Sequence, residues 1–177
     1  MKLNTKVITG SVILNYVNVK EAKANLLSSE PKFSLVILIP KESETINKVY
    51  EGIYNATKNG LDLWGGQVPQ DLITCLKDGD STSKEEYKNH FYINATSKYR
   101  PQIVDKDLKL LNPDKLYNGC VARVSISFYP YNHKESKNKG ISCELLNIQK
   151  LQDGNLILNR ASAIDDFSEV YDDRILM

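Results

Sequence analysis

The 177 residues carry a net charge of +1, are 41% hydrophobic and 25% charged, and hold three cysteines. That length and mix suit one soluble globular domain with an appendage, able to bury a core without disulfide or metal staples. They exclude a transmembrane helix, because no apolar run nears about 18 residues, and a disulfide scaffold, because Cys75, Cys120 and Cys143 are odd in number and form no CxxC. A reducing cytoplasm fits free thiols, and the opening residues, MKLNTKVITGSVILNY, read as strand rather than as a signal peptide.

Residues 5–18, TKVITGSVILNYVN, predict a long strand with Gly10 as a bend or bulge. Residues 32–39, KFSLVILI, are apolar at both phases of a period of two, as in a strand covered on both faces. Pro40 ends it. Ser43 is a candidate N-cap for a helix running to about Lys58. Ile46, Val49, Tyr50, Ile53 and Thr57 form its apolar stripe, and Asn59-Gly60 closes it. Residues 61–90 read as a long loop, with a turn at Lys77-Asp78-Gly79-Asp80. Trp64, followed by Gly65-Gly66, either presents an exposed ring or anchors that loop on the body.

A strand follows at Phe91 to Lys98. With Phe91, Ile93 and Ala95 inward, Tyr92, Asn94, Thr96 and Lys98 face outward, and Tyr99 and Arg100 stand at its end. The chain then loops through Asp105 and Asp107 and turns at Asn112-Pro113-Asp114. The stretch from Gly119 to Tyr131, GCVARVSISFYPY, is the most informative. Cys120, Ala122, Val124, Ile126 and Phe128 fall on one face, and Arg123, Ser125, Ser127, Tyr129 and Tyr131 on the other. A basic turn spans 132–140, a strong strand runs from Ile141 to Leu151, and a short strand at 155–158 is possible after Asp153-Gly154. About five strands, one helix and long loops predict a mainly β fold, an oligonucleotide-binding (OB) type of five-stranded barrel with one inserted helix. A β-sandwich with an inserted helix is the alternative. The helix follows the second strand, which is not its usual place in that barrel.

Two strands thus put Tyr92, Lys98, Tyr99, Arg100, Arg123, Tyr129 and Tyr131 outside the core. Cations that track a phosphate backbone, interleaved with rings on which bases stack, make a single-stranded nucleic acid platform. The same residues also suit an ordinary half-exposed strand surface. Charge divides the chain. Residues 1–160 hold 22 Lys+Arg and 17 Asp+Glu, a net of +5. Residues 161–177 hold Arg174 against Asp165, Asp166, Glu169, Asp172 and Asp173, a net of −4. The domain is therefore placed at 1–160 and an acidic tail at 161–177. The tail is either a solvated terminus, a competitor for the basic face, or a protein-docking segment. No catalytic residue, metal site or cofactor is expected. His90, His133 and the cysteines never cluster at ligand spacing, and the GxSxG, phosphate-loop and dinucleotide fingerprints are absent. Asp105 and Asp107 could hold a divalent ion, as in nucleases, or be plain turn residues.

KLNTKVITGSVILNYVNV, FYINATSKYRPQIVD, LYNGCVARVSISFYPYN and NKGISCELLNIQKLQDG together resemble the phage and prophage single-stranded-DNA-binding proteins, a family formerly described as a domain of unknown function. The resemblance spans roughly residues 2–167, and NATSKYRP and GISCELLNIQKL are its more specific segments. It implies an OB barrel, an acidic C-terminal tail and sequence-independent binding of single-stranded DNA in phage replication or recombination, in the cytoplasm of a bacterial host. By position it points to Lys98, Tyr99, Arg100, Arg123, Tyr129 and Tyr131. Phage or host replication and recombination proteins are implied partners through the tail, a homo-oligomer is compatible, and no membrane is involved. Two features depart from the family. Leu158-Asn159-Arg160 stands where many members have a glycine pair, and the tail closes Arg174-Ile175-Leu176-Met177 rather than on an aromatic. The functional alternatives are a protein-interaction module or scaffold of a phage recombination complex, and a metal-dependent nuclease using Asp105 and Asp107.

Overall fold

A computed structural model describes residues 1–24, 30–160 and 163–167. Nine strands and one long helix follow in chain order: β1 (Lys6–Ile8), β2 (Val12–Lys23), β3 (Lys32–Pro40), α1 (Thr45–Asn59), β4 (Ile73–Thr74), β5 (Leu76–Asp78), β6 (His90–Ser97), β7 (Gln102–Val104), β8 (Val121–Asn132) and β9 (Lys139–Gln152). Five of them close a ring in the order β2-β3-β6-β9-β8, and β8 returns to β2. Every junction of the ring is antiparallel except β6 with β9, which is parallel at Thr96↔Glu144. This is the expected five-stranded barrel with its helix inserted after the second ring strand. β1 continues the line of β2 along β8 past the bend at Gly10, and β7 continues β6 along β9. The acidic tail, apart from residues 163–167, lies outside the described residues.

The alternation in β8 drives the closure. Cys120, Ala122, Val124, Ile126 and Phe128 are all buried in the core, beside Leu14, Leu35, Ile37, Ile93, Ala95 and Leu145. Closing a ring abolishes sheet edges and buries these apolar rows together. The strand entering β8 needs glycine. Gly119 has φ +112°, and a Cβ there would stand 1.9 Å from the Asn155 carbonyl oxygen. Cys75, Cys120 and Cys143 are free thiols, and burial pushes each upward in pKa, Cys75 to about 12.

α1 lies over one end of the barrel, where Gly52 brings the helix backbone against the Phe128 ring. Its buried positions are Thr45, Ile46, Val49, Gly52 and Ala56, so the stripe differs from the expected one. Tyr50 is 51% exposed, because it sits one position round the helix from Val49, and its ring meets Phe91 edge-on at 6.5 Å. Glu44, not Ser43, takes the N-cap position, while the Ser43 hydroxyl accepts from the Thr45 N–H at 3.2 Å. Gly60 closes the helix as expected, its N–H reaching the Ala56 and Thr57 carbonyls.

The 61–90 segment is less bare than its sequence. It carries β4, β5 and three single turns of 3-10 helix. Trp64 is buried and donates its indole N–H to the Tyr131 carbonyl at 3.1 Å, so it anchors the loop. Residues 155–158 form no strand. Only Ile157 bonds inward, to the Asn118 carbonyl, and its side chain joins Val36, Leu38 and Tyr87 in a second cluster on the outside of β3. That cluster is why β3 is apolar on both faces.

Candidate nucleic-acid interface

The outward side chains of β3 and β6 meet in register. Leu38 stands opposite Tyr92, Val36 opposite Asn94 and Ser34 opposite Thr96, with Lys32 and Lys98 at the next outward positions. At one end the row opens into a pocket of about 500 Å³ lined by Tyr16, Asn18, Lys84, Tyr92 and Asn94. At the other it opens into a groove of about 250 Å³ lined by Lys32, Lys98, Tyr99, Tyr129 and Glu144. Ser34 belongs to the first and Thr96 to the second, so their pairing joins the two into one track across the barrel wall.

Tyr16 reaches this face through a bulge. The β2–β3 register shifts between Asn15 and Asn18, and Tyr16 takes φ 45°, in the left-handed region. A bulge of this kind re-aims a side chain. Beneath it Asn15 is fully buried and donates its Nδ2 to the Tyr87 hydroxyl at 3.0 Å. Tyr87 meets Tyr92 edge-on at 5.1 Å. The Lys84 ammonium donates to the Tyr16 hydroxyl at 2.6 Å. Partial burial opposes that charge, but the bond to Tyr16 and the neighbouring phenols Tyr87 and Tyr92 hold the pKa above the ordinary lysine value. At the far end Tyr99 is 76% exposed, and Lys98 pairs with Glu30 at 3.3 Å.

Of the seven residues singled out by sequence, the structure brings Lys98, Tyr99 and Tyr129 together in one groove, while Tyr92 lines the pocket at the other end of the row. Arg100 is turned away, its guanidinium 5.0 Å over the Phe33 ring and bonded to the Lys20 carbonyl at 2.6 Å. Arg123 lines a separate groove of about 260 Å³ with Ile8, Gln102, Val104 and Asn147, and its Nε donates to the Thr9 carbonyl at 3.1 Å. Tyr131 packs against His133 with ring centroids 4.7 Å apart, and burial raises its pKa. Sequence reasoning missed Tyr16, Lys84 and Lys32. A signal for Tyr16 was present, since the apolar alternation of β2 slips phase between Val12-Leu14 and Val17-Val19. Asp105 is a turn residue whose Oδ1 accepts from the Asp107 and Lys109 N–H groups at 2.8 and 3.0 Å. Among the described residues no group of three or more His, Cys, Asp or Glu is placed to hold a metal ion.

The sequence matches the family described as "Enterobacter phage Enc34, ssDNA-binding protein" across residues 5–176. It is 29% identical over 136 residues to putative protein p50 of Acyrthosiphon pisum secondary endosymbiont phage 1, covering 73% of this chain and 67% of that one. The fold is similar to that of the single-stranded DNA-binding protein of bacteriophage Enc34 in complex with ssDNA, with a TM-score of 0.76 and 23% identity over 87% of this chain and 90% of that one. It is also similar to gp2.5, a single-stranded DNA-binding protein of bacteriophage T7, with a TM-score of 0.65 and 11% identity over 96% of each chain. At these identities the two structural likenesses are of fold.

Proposed function

The chain belongs to the family of the Enterobacter phage Enc34 ssDNA-binding protein, and we propose that it binds single-stranded DNA without sequence preference along the β3–β6 track. The observation that carries this reading is the track itself, with Tyr16 and Tyr92 at one end, Tyr99 and Tyr129 at the other, and Lys32, Lys84 and Lys98 beside them. Rings accept any base, because every base has a π-face, and each stacked base contributes about 1–3 kcal/mol. Bases inside a duplex are already stacked and cannot reach these rings, so the track favours single strands. The lysines contact phosphates and release counterions, which makes affinity fall with salt.

In this role the protein binds and orders DNA during phage replication or recombination inside the bacterial host, and its residues perform no bond-making step. The test is fluorescence anisotropy with labelled oligo-dT across a salt series, beside mixed-sequence single strands, duplex DNA and RNA. The expected result is similar affinity for the single-stranded DNAs, steep salt dependence and weak duplex binding. Salt-insensitive binding, or equal affinity for duplex, would overturn the reading.

A further inference from the structure

Among the described residues, Glu144 is the one carboxylate that lines the groove with Lys32, Lys98, Tyr99 and Tyr129. It sits half-buried on β9, between Thr96 of β6 and Ser127 of β8. Its chain neighbours Cys143 and Leu145 point into the core, so its own side chain stands on the outward face. Among the described residues its carboxylate has no hydrogen bond or ion pair, and Lys98 pairs with Glu30 instead. A solvated surface glutamate needs no partner, but this one stands where a strand charged at every nucleotide must pass. A carboxylate repels phosphate and only accepts hydrogen bonds. The strand therefore crosses Glu144 with its phosphates toward Lys32 and Lys98 and a base edge toward the carboxylate.

We propose that Glu144 reads one base of the bound strand and favours guanine there. Guanine carries two N–H donors side by side on its Watson–Crick edge, N1–H and the 2-amino group, which match the two oxygens of one carboxylate. Adenine and cytosine each set a single amino group beside an acceptor nitrogen. Thymine holds its one N–H between two carbonyl oxygens, which the carboxylate repels. In a single strand this edge is open to the protein, whereas in a duplex it is already paired. Tyr99 and Tyr129, 76% and 40% exposed, line the same groove and offer rings on which that base can stack. This inference rests on the reading that the β3–β6 track binds single-stranded DNA. It adds a bias at one nucleotide, which mixed sequences average out beside the stacking and phosphate contacts that every sequence supplies.

The probes are oligo-dT and two relatives in which every fourth base is guanine or hypoxanthine, a spacing that keeps guanines apart and prevents quadruplexes. Hypoxanthine stacks much as guanine does but lacks the 2-amino group, so the ratio of the two affinities isolates the second hydrogen bond. In anisotropy titrations at one salt concentration, the wild type should bind the guanine strand about five-fold more tightly than the hypoxanthine strand, the net share of one hydrogen bond. Glu144→Gln should remove most of that preference and tighten binding to oligo-dT, because a charge that repels phosphate is gone. Glu144→Asp keeps the charge on a shorter stem, so it should weaken the preference without tightening oligo-dT. Equal binding of the guanine and hypoxanthine strands by the wild type overturns the inference. So does a Glu144→Gln variant that tightens all three strands alike with the preference intact, which would make Glu144 a plain repelling charge. Both results leave the binding reading standing, whereas a wild-type chain that fails to bind oligo-dT overturns both.

Discussion

Asn15 and Asn159 exchange side-chain amide hydrogen bonds in both directions, Nδ2 to Oδ1, at 3.2 and 2.8 Å. Asn15 is fully buried, and the pair ties residues 155–160 across β2, where Ile157 completes the outer cluster on Val36 and Leu38. Asn159→Ala leaves the buried Asn15 carbonyl oxygen without this partner and should cost about 1–3 kcal/mol in urea unfolding. Asn15→Ala should cost at least as much, because it also abandons the Tyr87 hydroxyl. The double variant should cost less than the two singles added. Strict additivity would show that the amides do not interact.

Tyr99 and Tyr131 both looked like stacking rings, but their surroundings differ. Tyr99 is 76% exposed at the end of the track, so Tyr99→Ala should weaken oligo-dT binding about 5- to 150-fold, the share of one stacked base, with no change in Tm. The Tyr131 ring packs over Gly140 and against His133, so Tyr131→Ala should lower Tm and leave affinity near wild type. Paired anisotropy and thermal melts decide the point. An affinity loss at Tyr131 matching that at Tyr99 would move the interface to the β8–β9 hairpin.

Lys98 and Arg100 are neighbours with opposite commitments. Lys98 faces the groove with only an exposed ion pair to Glu30, which phosphate can displace. Lys98→Ala should make the salt plot shallower by about 0.7 and leave stability unchanged. Arg100 is engaged by the Phe33 ring and the Lys20 carbonyl. Arg100→Ala should cost about 1–2 kcal/mol of stability and leave the salt slope alone. Reversed outcomes in urea melts and salt titrations would show that the two side chains trade places in solution.

The same contrast explains how far the sequence could be read. The inward face of β8 is legible because a strand buried on one side must repeat every two residues, and Cys120 to Phe128 do so without a break. Sharing a face is not sharing a site, however. Arg123 and Tyr129 point outward from one strand, yet six residues separate them by about 20 Å, and they line different grooves. Lys84 was hidden for another reason. It lies in a segment without periodicity, and its position follows from Tyr87 docking on Asn15, a contact 72 residues apart in sequence. The slip in the β2 alternation announced a bulge, but only the backbone at Tyr16 fixes which ring turns outward.

Acid should loosen the 76–90 segment first. Lys41 bridges Asp78 at 2.6 Å and Asp80 at 2.5 Å, tying the end of β3 to β5 and the turn after it. The hydrogen bond from Lys41 holds both carboxyls below their ordinary pKa. A depressed folded-state pKa contributes stability above the unfolded value, about 3.9 for Asp, and that contribution is lost as pH falls through the lower folded value. Pepsin digestion should therefore cleave within residues 76–90 before the barrel strands as pH drops below about 4. In Lys41→Met this acid step should shrink, leaving the part carried by the Asp80 and Asn89 N–H groups that donate to the Asp78 and Asp80 carboxylates. Unaltered acid dependence in the variant would assign the step to other carboxyls.

Removing residues 161–177 takes away five carboxylates and one guanidinium. Where this segment is described, Asp166 and Phe167 line one surface groove with Tyr16 and Lys84, so the acidic stretch sets out from the rim of the track. If carboxylates there compete with phosphates for the same lysines, charge alone sets the effect. Deletion should tighten binding to short oligo-dT at low salt. The gain should fade as salt rises, because the screening length shrinks from about 10 Å at 0.1 M to about 3 Å at 1 M. A gain that persists at 1 M would mean that the segment blocks the track by shape rather than by charge. No gain at low salt would leave it free for docking on other proteins.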